Sequence, residues 1–241
     1  MPDRIFDEPR LAAIYDYLDA DRSDLDVYVS IAREFGARSV VDIGCGTGTL
    51  ACLLASEGIK VVGVDPAGAM LAVARRKESA DRVRWVHGVA ADLPAMQVDL
   101  VTMTGNVAQV FLEDREWADT LTAAHRLLRP GGSLVFESRR PERKAWLEWN
   151  RDDSFDGLEI DGVGKVETWN DVIAVSLPFV TFRGTIIFHA DETELMSEST
   201  LRFRSYDEIV DSLEVAGFQV DDVRDAPDRP GNEFVFLASR S

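Results

Sequence analysis

The sequence predicts a doubly wound α/β fold in which a mostly parallel, seven-stranded sheet carries an inserted antiparallel β ribbon. Between residues 39 and 138, short apolar segments alternate with helix-compatible segments. This alternation is typical of a parallel sheet with helices on both faces. Between residues 139 and 204, apolar and polar residues alternate with a period of two in three segments, 165–175, 180–190 and 197–204, which indicates antiparallel strands. After residue 205 a helix and two strands complete the sheet.

The elements are predicted in the following order. Residues 3–35 read as helical, and the acidic stretch 21–26 divides them into two helices, with Ser23 or Asp24 as the second N-cap. The predicted strands cover residues 40–43, 60–64, 83–86, 99–103, 133–137, 218–223 and 234–238. The predicted helices between them cover residues 49–57, 67–78, 114–128 and 205–216. The third of these helices stops where Pro130 and two glycines prevent its continuation.

Composition and charge limit the classes of function. The chain has 241 residues, a formal net charge of −17 and two cysteines. Nucleic-acid binding rests largely on lysine and arginine, so such an acidic chain is a poor candidate for it. No apolar run reaches the roughly 20 residues of a membrane span, and the first residues lack the pattern of a secretion signal. We therefore expect a cytoplasmic protein that binds neither nucleic acid nor membrane and acts on a small molecule.

Three alternating glycines form the most informative stretch of the chain. Gly44, Gly46 and Gly48 follow a short apolar strand and precede a helix, so they form a tight turn that leaves the backbone open to a ligand. Asp42 brings a negative charge to this turn, which would repel a pyrophosphate and attract an ammonium group. The residues therefore favour S-adenosylmethionine over a dinucleotide.

Polar side chains and glycines follow the ends of the predicted strands. Gly44, Asp65, Asp92 and residues 104–106 all lie just past a strand. Ligands of doubly wound sheets bind at the carboxyl ends of the strands, near the point where the strand order reverses. We therefore expect these residues to line one crevice.

Four motifs in the same order resemble the class I S-adenosylmethionine-dependent methyltransferases. They read VVDIGCGTGTLA, VVGVDPAGAML, GVAADLP and LRPGGSLVFES. The resemblance spans roughly residues 39–138 and 205–239, and it implies the Rossmann-like methyltransferase fold. It also implies S-adenosylmethionine as cofactor, S-adenosylhomocysteine as product, and no metal. The expected cofactor-binding residues are Tyr15, Asp42, Gly44, Cys45, Gly46, Gly48, Asp65, Pro66, Met70, Ala91, Asp92, Leu93, Thr104, Gly105 and Asn106.

Individual roles follow from the chemistry of the cofactor. Asp65 ends the second strand, where its carboxylate can accept both ribose hydroxyls, although it can also cap the helix that follows. Met70 would pack near the adenine. Asp92 is placed to accept from the adenine amino group, although a loop acid can also cap a turn. Residues 104–106 should face the sulfonium and the acceptor.

Three residues are candidates for catalysis. Methyl transfer needs mainly an acceptor held in line, and a base is required only if the nucleophile arrives protonated. The chain is similar to amino-sugar N-methyltransferases, and this similarity implies that Tyr15 lies at the cofactor and acceptor. In the same comparison Gln109 stands where some of those enzymes carry a catalytic histidine. His189 lies on the predicted ribbon, which could reach over the site.

The domain organisation follows from the same pattern. We expect a core of residues 1–138 and 205–241, in which residues 1–35 form a helical cap, and a β insertion of residues 139–204. The insertion would be an acceptor lid or a dimer surface, so the chain would be a monomer or a homodimer. Trp146, Trp149 and Trp169 flank the ribbon and would pack beneath it or line an acceptor pocket.

Two alternatives stay open. An NAD-dependent oxidoreductase has the same kind of sheet, although Thr49 stands where the dinucleotide pattern wants its last glycine. A non-catalytic regulatory protein that binds S-adenosylmethionine would carry the same cofactor motifs.

Overall fold

Eleven strands and eight helices make up the computed structural model, which describes residues 2–241. The strands are β1 (Ser39–Ile43), β2 (Lys60–Asp65), β3 (Val83–His87), β4 (Val98–Met103), β5 (Leu128–Arg139), β6 (Asp156–Ile160), β7 (Gly164–Ser176), β8 (Phe179–Phe188), β9 (Thr193–Arg202), β10 (Phe218–Asp225) and β11 (Glu233–Arg240). The helices are α1 (Arg4–Asp7), α2 (Pro9–Leu18), α3 (Asp26–Glu34), α4 (Thr49–Ser56), α5 (Gly68–Ala74), α6 (Asp114–Leu127), α7 (Arg151–Ser154) and α8 (Tyr206–Val215).

The main sheet has seven strands in the order β10-β11-β5-β4-β1-β2-β3. Strands β1 to β5 run parallel, and β11 is antiparallel to both of its neighbours. The strand order reverses between β1 and β4, so the carboxyl ends of these two strands border the crevice where ligands of such sheets bind. The predicted doubly wound, mostly parallel seven-stranded sheet is confirmed.

Helices cover both faces of this sheet. Val40 and Val41 are neighbours on β1, and the pleat sends them to opposite faces. Val40 belongs to the core packed against α3 and α4, whereas Val41 belongs to the core packed against α6 and α8. Each fully buried aliphatic side chain contributes about 1.5–3 kcal/mol. The near-continuous apolar strands of the sequence are explained by this burial on both sides.

The inserted segment forms a separate antiparallel sheet with the order β6-β7-β8-β9. The predicted ribbon is confirmed as antiparallel, but it has four strands where the period-2 pattern covered three segments. The missing strand is β6, whose sequence DGLEI is short and acidic and buries only Ile160 fully. It pairs with β7 along its whole length, and its sequence alone gives little signal of that pairing.

Three local predictions are wrong. Helix α3 begins at Asp26 after a short 3₁₀ turn, and neither Ser23 nor Asp24 caps it, because Leu25 occupies the N-cap position. Helix α5 ends at Ala74, well before residue 78. Strand β5 begins directly at Leu128, and residues 129–132 form an irregularity within it.

Helix α2 packs against two parts of the molecule. Leu11 and Ile14 pack on the second sheet, in a cluster with Phe188. Ala12 packs in a separate cluster with Met70 of α5. The N-terminal helices therefore lie between the second sheet and the carboxyl end of β2. Across residues 2–241, no helix combines the length and apolar composition of a bilayer span.

Candidate active site

The turn after β1 is built on three glycines with positive φ. Their φ angles are +69° at Gly44, +52° at Gly46 and +74° at Gly48. A Cβ on Gly44 would lie 2.6 Å from Val107, and one on Gly48 would lie 2.3 Å from Trp85. A Cβ on Gly46 would meet no atom within 4 Å. Two glycines are therefore required by packing, whereas Gly46 borders open space at the carboxyl end of the sheet.

Asp65, at the end of β2, is bonded to this turn. Its Oδ2 accepts from Gly46 N at 2.8 Å, and its Oδ1 accepts from Ala67 N at 2.7 Å. Burial raises the pKa of this carboxyl. The bond to Ala67 is made just ahead of α5, as in the alternative capping role. Because each carboxylate oxygen has more than one lone pair, both can still accept from a ligand.

Asp42 is the second buried acid near the turn. Its side chain is 1% exposed, and its Oδ1 accepts from Thr102 Oγ1 at 2.8 Å. Burial and the neighbouring charge of Asp65 raise the pKa of Asp42 to about 7, against the lowering effect of the Thr102 hydrogen bond. A cationic group placed nearby would stabilise the ionised carboxylate.

Helix α6 is hydrogen-bonded to the loop after β3. Arg126 Nη2 donates to the carbonyl oxygens of Ala91 and Leu93, at 3.2 and 2.9 Å. Asp92 is exposed, and its Oδ2 accepts from Val89 N at 2.9 Å. Asp92 thus caps its own turn in this structure, while its Oδ1 faces no donor among residues 2–241. Leu93 is buried in the core.

The loop after β4 has a second open glycine. Gly105 has a φ of +75°, and a Cβ there would meet nothing within 4 Å. Asn106 follows with a φ of +59° and is 4% exposed. Its backbone N–H donates to Glu137 at 2.7 Å and its Nδ2 to Glu233 at 3.0 Å. Its buried Oδ1 has no partner within the described part of the chain.

Helix α2 lies beside the glycine turn. Tyr15 packs with Ala67 and Met70, the latter fully buried. Lys77 Nζ pairs with Asp16 of α2 at 2.7 Å. Thr47 Oγ1, in the turn itself, donates to Asp16 at 2.6 Å. These polar contacts fasten the helix to the turn.

Two predicted residues support the site through the backbone. Cys45 N donates to Val64 O at 3.2 Å, and burial raises the pKa of its thiol well above the ordinary value. The carbonyl oxygen of Pro66 lies 2.9 Å from His87 Nε2. Both contacts fix the loops that follow β1 and β2.

The sheet order places these loops side by side. The strand ends follow one another as β3, β2, β1, β4 and β5. The open space at Gly46 and Gly105 therefore lies between the acids of β1 and β2 on one side and the end of β5 on the other. A ligand with a cationic centre and vicinal hydroxyls fits this set of donors and acceptors.

Comparisons with known proteins show the fold and a methyltransferase domain. Residues 40–132 match the family model described as Methyltransferase domain. The chain is 33% identical over 141 residues to the cypemycin N-terminal methyltransferase of a Streptomyces species, covering 57% of each chain. A solved S-adenosylmethionine-dependent methyltransferase from Clostridium acetobutylicum superposes with a TM-score of 0.78 at 17% identity, covering 97% of this chain and 99% of that one. Residues 40–132 therefore form a methyltransferase domain, and the fold of the chain is that of the solved S-adenosylmethionine-dependent methyltransferase.

A further solved structure has the same fold. It is an amino pentose methyltransferase from Micromonospora echinaspora, with a TM-score of 0.73, 22% identity, and coverage of 94% of this chain and 95% of that one. At such low identity the likeness concerns the fold alone. The chain spans about half the length of the curated relatives that it matches.

Gln109 and His189 lie in different surroundings in the structure. Gln109 follows the loop after β4 and is fully buried, and its Oε1 accepts from Arg139 Nη1 at 3.0 Å. His189 follows β8 at the surface, where its Nε2 lies 3.3 Å from Glu167 of the second sheet. Gln109 therefore joins the group at the carboxyl end of the sheet, whereas the contacts of His189 lie within the second sheet.

The sequence reasoning missed a buried polar network at the end of β5. Glu137 accepts from Tyr28 of α3 and from the backbone of Asn106. Burial raises the pKa of Glu137 to about 7, against the lowering effect of these two hydrogen bonds. Arg139 lies two residues further along the same strand. Both residues could have been found with the rule applied to the other strands, because Glu137 ends the predicted strand 133–137.

Within residues 2–241, no group of three or more His, Cys, Asp and Glu side chains is arranged to hold a metal ion. The expectation that the enzyme uses no metal stays a prediction.

Proposed function

We propose that the chain is a methyltransferase that transfers a methyl group from S-adenosylmethionine to an N- or O-nucleophile of a small molecule. The observation that carries this proposal is the open space at Gly46 and Gly105, bordered by the buried carboxylates of Asp42 and Asp65. The family match over residues 40–132 supports it.

The proposed cofactor site uses the strand ends in order. The glycine turn would accommodate the methionine portion, with Asp42 near its ammonium group. Asp65 would accept the ribose hydroxyls, and the loop of residues 91–93 would border the adenine with Met70. S-adenosylmethionine supplies a methyl group that is already activated by its sulfonium. The chain needs only to hold the two partners in line, which can provide much of the rate.

The residues after β4 and β5 would orient the acceptor. Glu137 and Glu233 bond the backbone and side chain of Asn106, so its unpartnered Oδ1 is fixed in position. This oxygen can accept a hydrogen bond from an amine or hydroxyl acceptor. Tyr15 and Gln109 are the proposed side chains at the acceptor, and His189 is the remaining candidate for proton transfer. Gln109 can orient a nucleophile but cannot remove its proton.

The second sheet would supply the wall of the acceptor pocket. The Trp149 ring lies 4.8 Å from Phe182 of β8 and faces Arg139, whose Cζ is 5.7 Å from the ring centroid. Trp146 is buried against Phe203 and Trp169 is bonded to Asp171, so these two tryptophans stabilise the insertion. Trp149 is thus the one proposed to contact the acceptor.

The methyl-transfer activity is tested with labelled cofactor. The protein is incubated with methyl-labelled S-adenosylmethionine and a panel of small amines, phenols and carboxylic acids. We expect label in at least one acceptor, and an Asp65→Ala variant should lose most of the turnover. Absence of turnover over a broad panel, with S-adenosylhomocysteine still bound, would favour the regulatory alternative.

A binding comparison separates the oxidoreductase alternative. Calorimetry with S-adenosylhomocysteine and with NADH should give binding of the first and none of the second. The acids at β1 and β2 lie where a pyrophosphate would approach, so they disfavour a dinucleotide. NADH binding without S-adenosylhomocysteine binding would overturn the proposed function.

The insertion of residues 139–204 has a second proposed use as a surface between two copies of the chain. Ile173, Val175 and Leu177 are 46–60% exposed along and just beyond β7. Exposed apolar strand residues favour association. Light scattering of the purified protein distinguishes a monomer from a homodimer.

We place the protein in the cytoplasm, where reduced thiols persist. Cys45 and Cys52 are both free in the structure. Cell fractionation tests this location.

A further inference from the structure

Arg139 presents unused hydrogen-bond donors beside the proposed acceptor position. Its Nη1 donates to Gln109 Oε1, while its Nε and Nη2 donate to no oxygen of residues 2–241. The side chain is 23% exposed, so part of it remains accessible to a ligand. A guanidinium has five N–H donors in a planar fork that matches a carboxylate or phosphate. Most N–H groups of the Arg139 guanidinium are therefore available to a ligand.

Among the described residues, the charge of Arg139 has only a loosely placed partner, which it shares with other donors. Its nearest carboxylate oxygen is Glu233 Oε1, at 3.8 Å. That oxygen already accepts from Arg229 at 3.1 Å and from Asn106 at 3.0 Å. Burial lowers the pKa of Arg139, which is the effect of a desolvated cation that its neighbours do not fully compensate. An additional anion would compensate it.

A second donor without a partner lies next to Arg139. Gln109 is fully buried, and its Nε2 has no partner within the described residues. Arg139 Nη1 donates to Gln109 Oε1, so this amide oxygen is already occupied. The Gln109 amide nitrogen and the remaining N–H groups of Arg139 are therefore neighbouring donors that lack an acceptor in the described part of the chain. A buried donor left unpaired is destabilising, and an oxyanion would satisfy both groups.

The position of Arg139 separates it from most of the proposed cofactor residues. Arg139 is the last residue of β5, whereas those residues follow β1, β2, β3 and β4. The exception is Tyr15 of α2, which lies close enough for the charge of Arg139 to act on its hydroxyl. In the sheet order, β5 lies beyond β4 on the side away from β2 and β3. The indole of Trp149 lies over the guanidinium and forms an aromatic surface beside it.

We propose that Arg139 and Gln109 bind an anionic group of the methyl acceptor, a carboxylate or a phosphate, with the acceptor's flat or apolar part against Trp149. This inference rests on the proposed function and names the substrate class of that same site. The acidic protein as a whole would repel anions, so local recognition by Arg139 is required.

The test measures binding of simple probes, because no acceptor needs to be known. Dissociation constants of benzoate, phenyl phosphate and neutral benzamide are measured by NMR titration, with and without S-adenosylhomocysteine. At least one anion should bind the wild-type protein about tenfold or more tightly than benzamide. Tighter binding of phenyl phosphate than of benzoate would assign a phosphate, and the reverse order a carboxylate.

Three variants and one control locate the anion. Arg139→Gln should weaken the anionic probe roughly 10- to 100-fold, and Arg139→Lys should weaken it less because the charge is kept. Gln109→Glu should weaken it similarly, because the new carboxylate would pair with Arg139. Arg224→Gln removes the same charge from a surface site paired with Glu34 and Asp222, and should leave probe binding unchanged.

Two results would overturn the proposal. The first is that the anionic probes bind no more tightly than benzamide, or that their dissociation constants are the same in Arg139→Gln as in the wild-type protein. The second is that Arg139→Gln weakens S-adenosylhomocysteine binding and leaves probe binding unchanged. That result would show that Arg139 binds the cofactor and not the acceptor. Failure of the wild-type protein to bind S-adenosylhomocysteine would instead count against the proposed function. The probe titrations done without S-adenosylhomocysteine would still test the role of Arg139.

Discussion

Gly46 and Gly36 have the same backbone conformation but lie at opposite ends of β1. Their φ angles are +52° and +59°, and a Cβ on either would meet no atom within 4 Å. Gly46 follows the carboxyl end of β1, whereas Gly36 precedes its amino end. Alanine at either position would strain the backbone, but only alanine at Gly46 would also fill the crevice. Comparing the two variants therefore separates the effect of backbone strain from the effect of filling the crevice.

Gly46→Ala should weaken S-adenosylhomocysteine binding about tenfold or more, because its Cβ would occupy space proposed for the cofactor. Gly36→Ala is the matched control and should leave the affinity unchanged. Both should lower the free energy of unfolding by about 1–2 kcal/mol. Calorimetry and denaturant unfolding measure the two quantities. Equal affinities of the two variants would contradict the proposed position of the cofactor.

The affinity for S-adenosylmethionine should depend on the ionisation of Asp42. With a pKa raised to about 7 by burial, Asp42 is partly protonated near neutral pH. A cationic ligand favours the ionised form, so affinity should rise with pH and level off above about 7, with a slope of at most about tenfold per unit below it. Asp42→Asn should bind more weakly and lose this dependence. A wild-type affinity that does not change across this range would contradict the role of Asp42.

The raised pKa of Asp42 should also make the free energy of unfolding depend on pH, in the direction opposite to the affinity. Because the folded state holds the Asp42 proton more tightly than the unfolded state, the free energy of unfolding should fall as pH rises from about 4 to about 7. Glu137, with its pKa raised to about 7 by burial, adds to this effect.

At the residue scale, the sequence indicated Asp42 because it lies in an apolar strand two residues before the glycine turn, and Asp65 because it ends an apolar strand just before Pro66. It did not indicate the hydrogen bond from Gly46 to Asp65, since that contact depends on how β1 and β2 pair. The interaction of Tyr28 with Glu137 joins residues 109 positions apart. No local pattern reports such a contact.

At the scale of elements, a partly buried polar cluster adds to the apolar packing that holds α2 and fastens the helix to the glycine turn. Lys77, after α5, pairs with Asp16, and Asp16 accepts from Thr47 of the glycine turn. The side chains of Lys77 and Asp16 are only 21% and 29% exposed. An ion pair shielded in this way is stronger than an exposed one.

Lys77→Met should loosen α2 and speed the release of S-adenosylhomocysteine by about three- to tenfold, because the helix covers residues proposed to contact the cofactor. Amide hydrogen exchange in residues 9–18 should also become faster. Arg33→Met breaks the exposed pair with Glu57, whose side chains are 60% and 40% exposed, and should change neither quantity. Unchanged release and exchange in Lys77→Met would show that the cluster does not hold the helix.

Elements were predictable where apolar periodicity was strong. The strands of the main sheet and helices α4, α6 and α8 are apolar on the faces that they bury. Helix α5 was overextended, because residues 75–78 continue a helical composition although Arg76 and Lys77 make tighter i→i+3 bonds. Strand β6 was missed because its pairing with β7 is a tertiary property.

At the scale of the molecule, the net charge of −17 should be visible in stability. Like charges on a compact surface repel one another, and salt screens this repulsion. Raising NaCl from about 10 to about 300 mM should raise the Tm by about 2–4 °C, which corresponds to roughly 1 kcal/mol for a chain of this size. KCl should act equally. A fall in Tm would mean that screening of the surface ion pairs outweighs relief of the repulsion.

The overall architecture was predictable because strand and helix alternation determines the class of sheet. The site between the main sheet, α2 and the second sheet was only partly predictable. Strand ends gave the residues of β1 to β4, but the joint position of Arg139, Gln109 and Trp149 depends on how the insertion packs. That packing is set by contacts such as Trp149 with Phe182, which are distant in sequence.

The central proposal is a methyl donor held by the glycine turn with its ribose at Asp65, and calorimetry of S-adenosylhomocysteine with Asp65 variants tests it most directly. Asp65→Asn, which keeps an oxygen for the Ala67 N–H, and Asp65→Ala should both fold and should bind roughly 10- to 100-fold more weakly than the wild-type protein. Asp99→Asn, at the amino end of β4, is the control and should bind normally. Wild-type affinity in both Asp65 variants would contradict the proposed cofactor site.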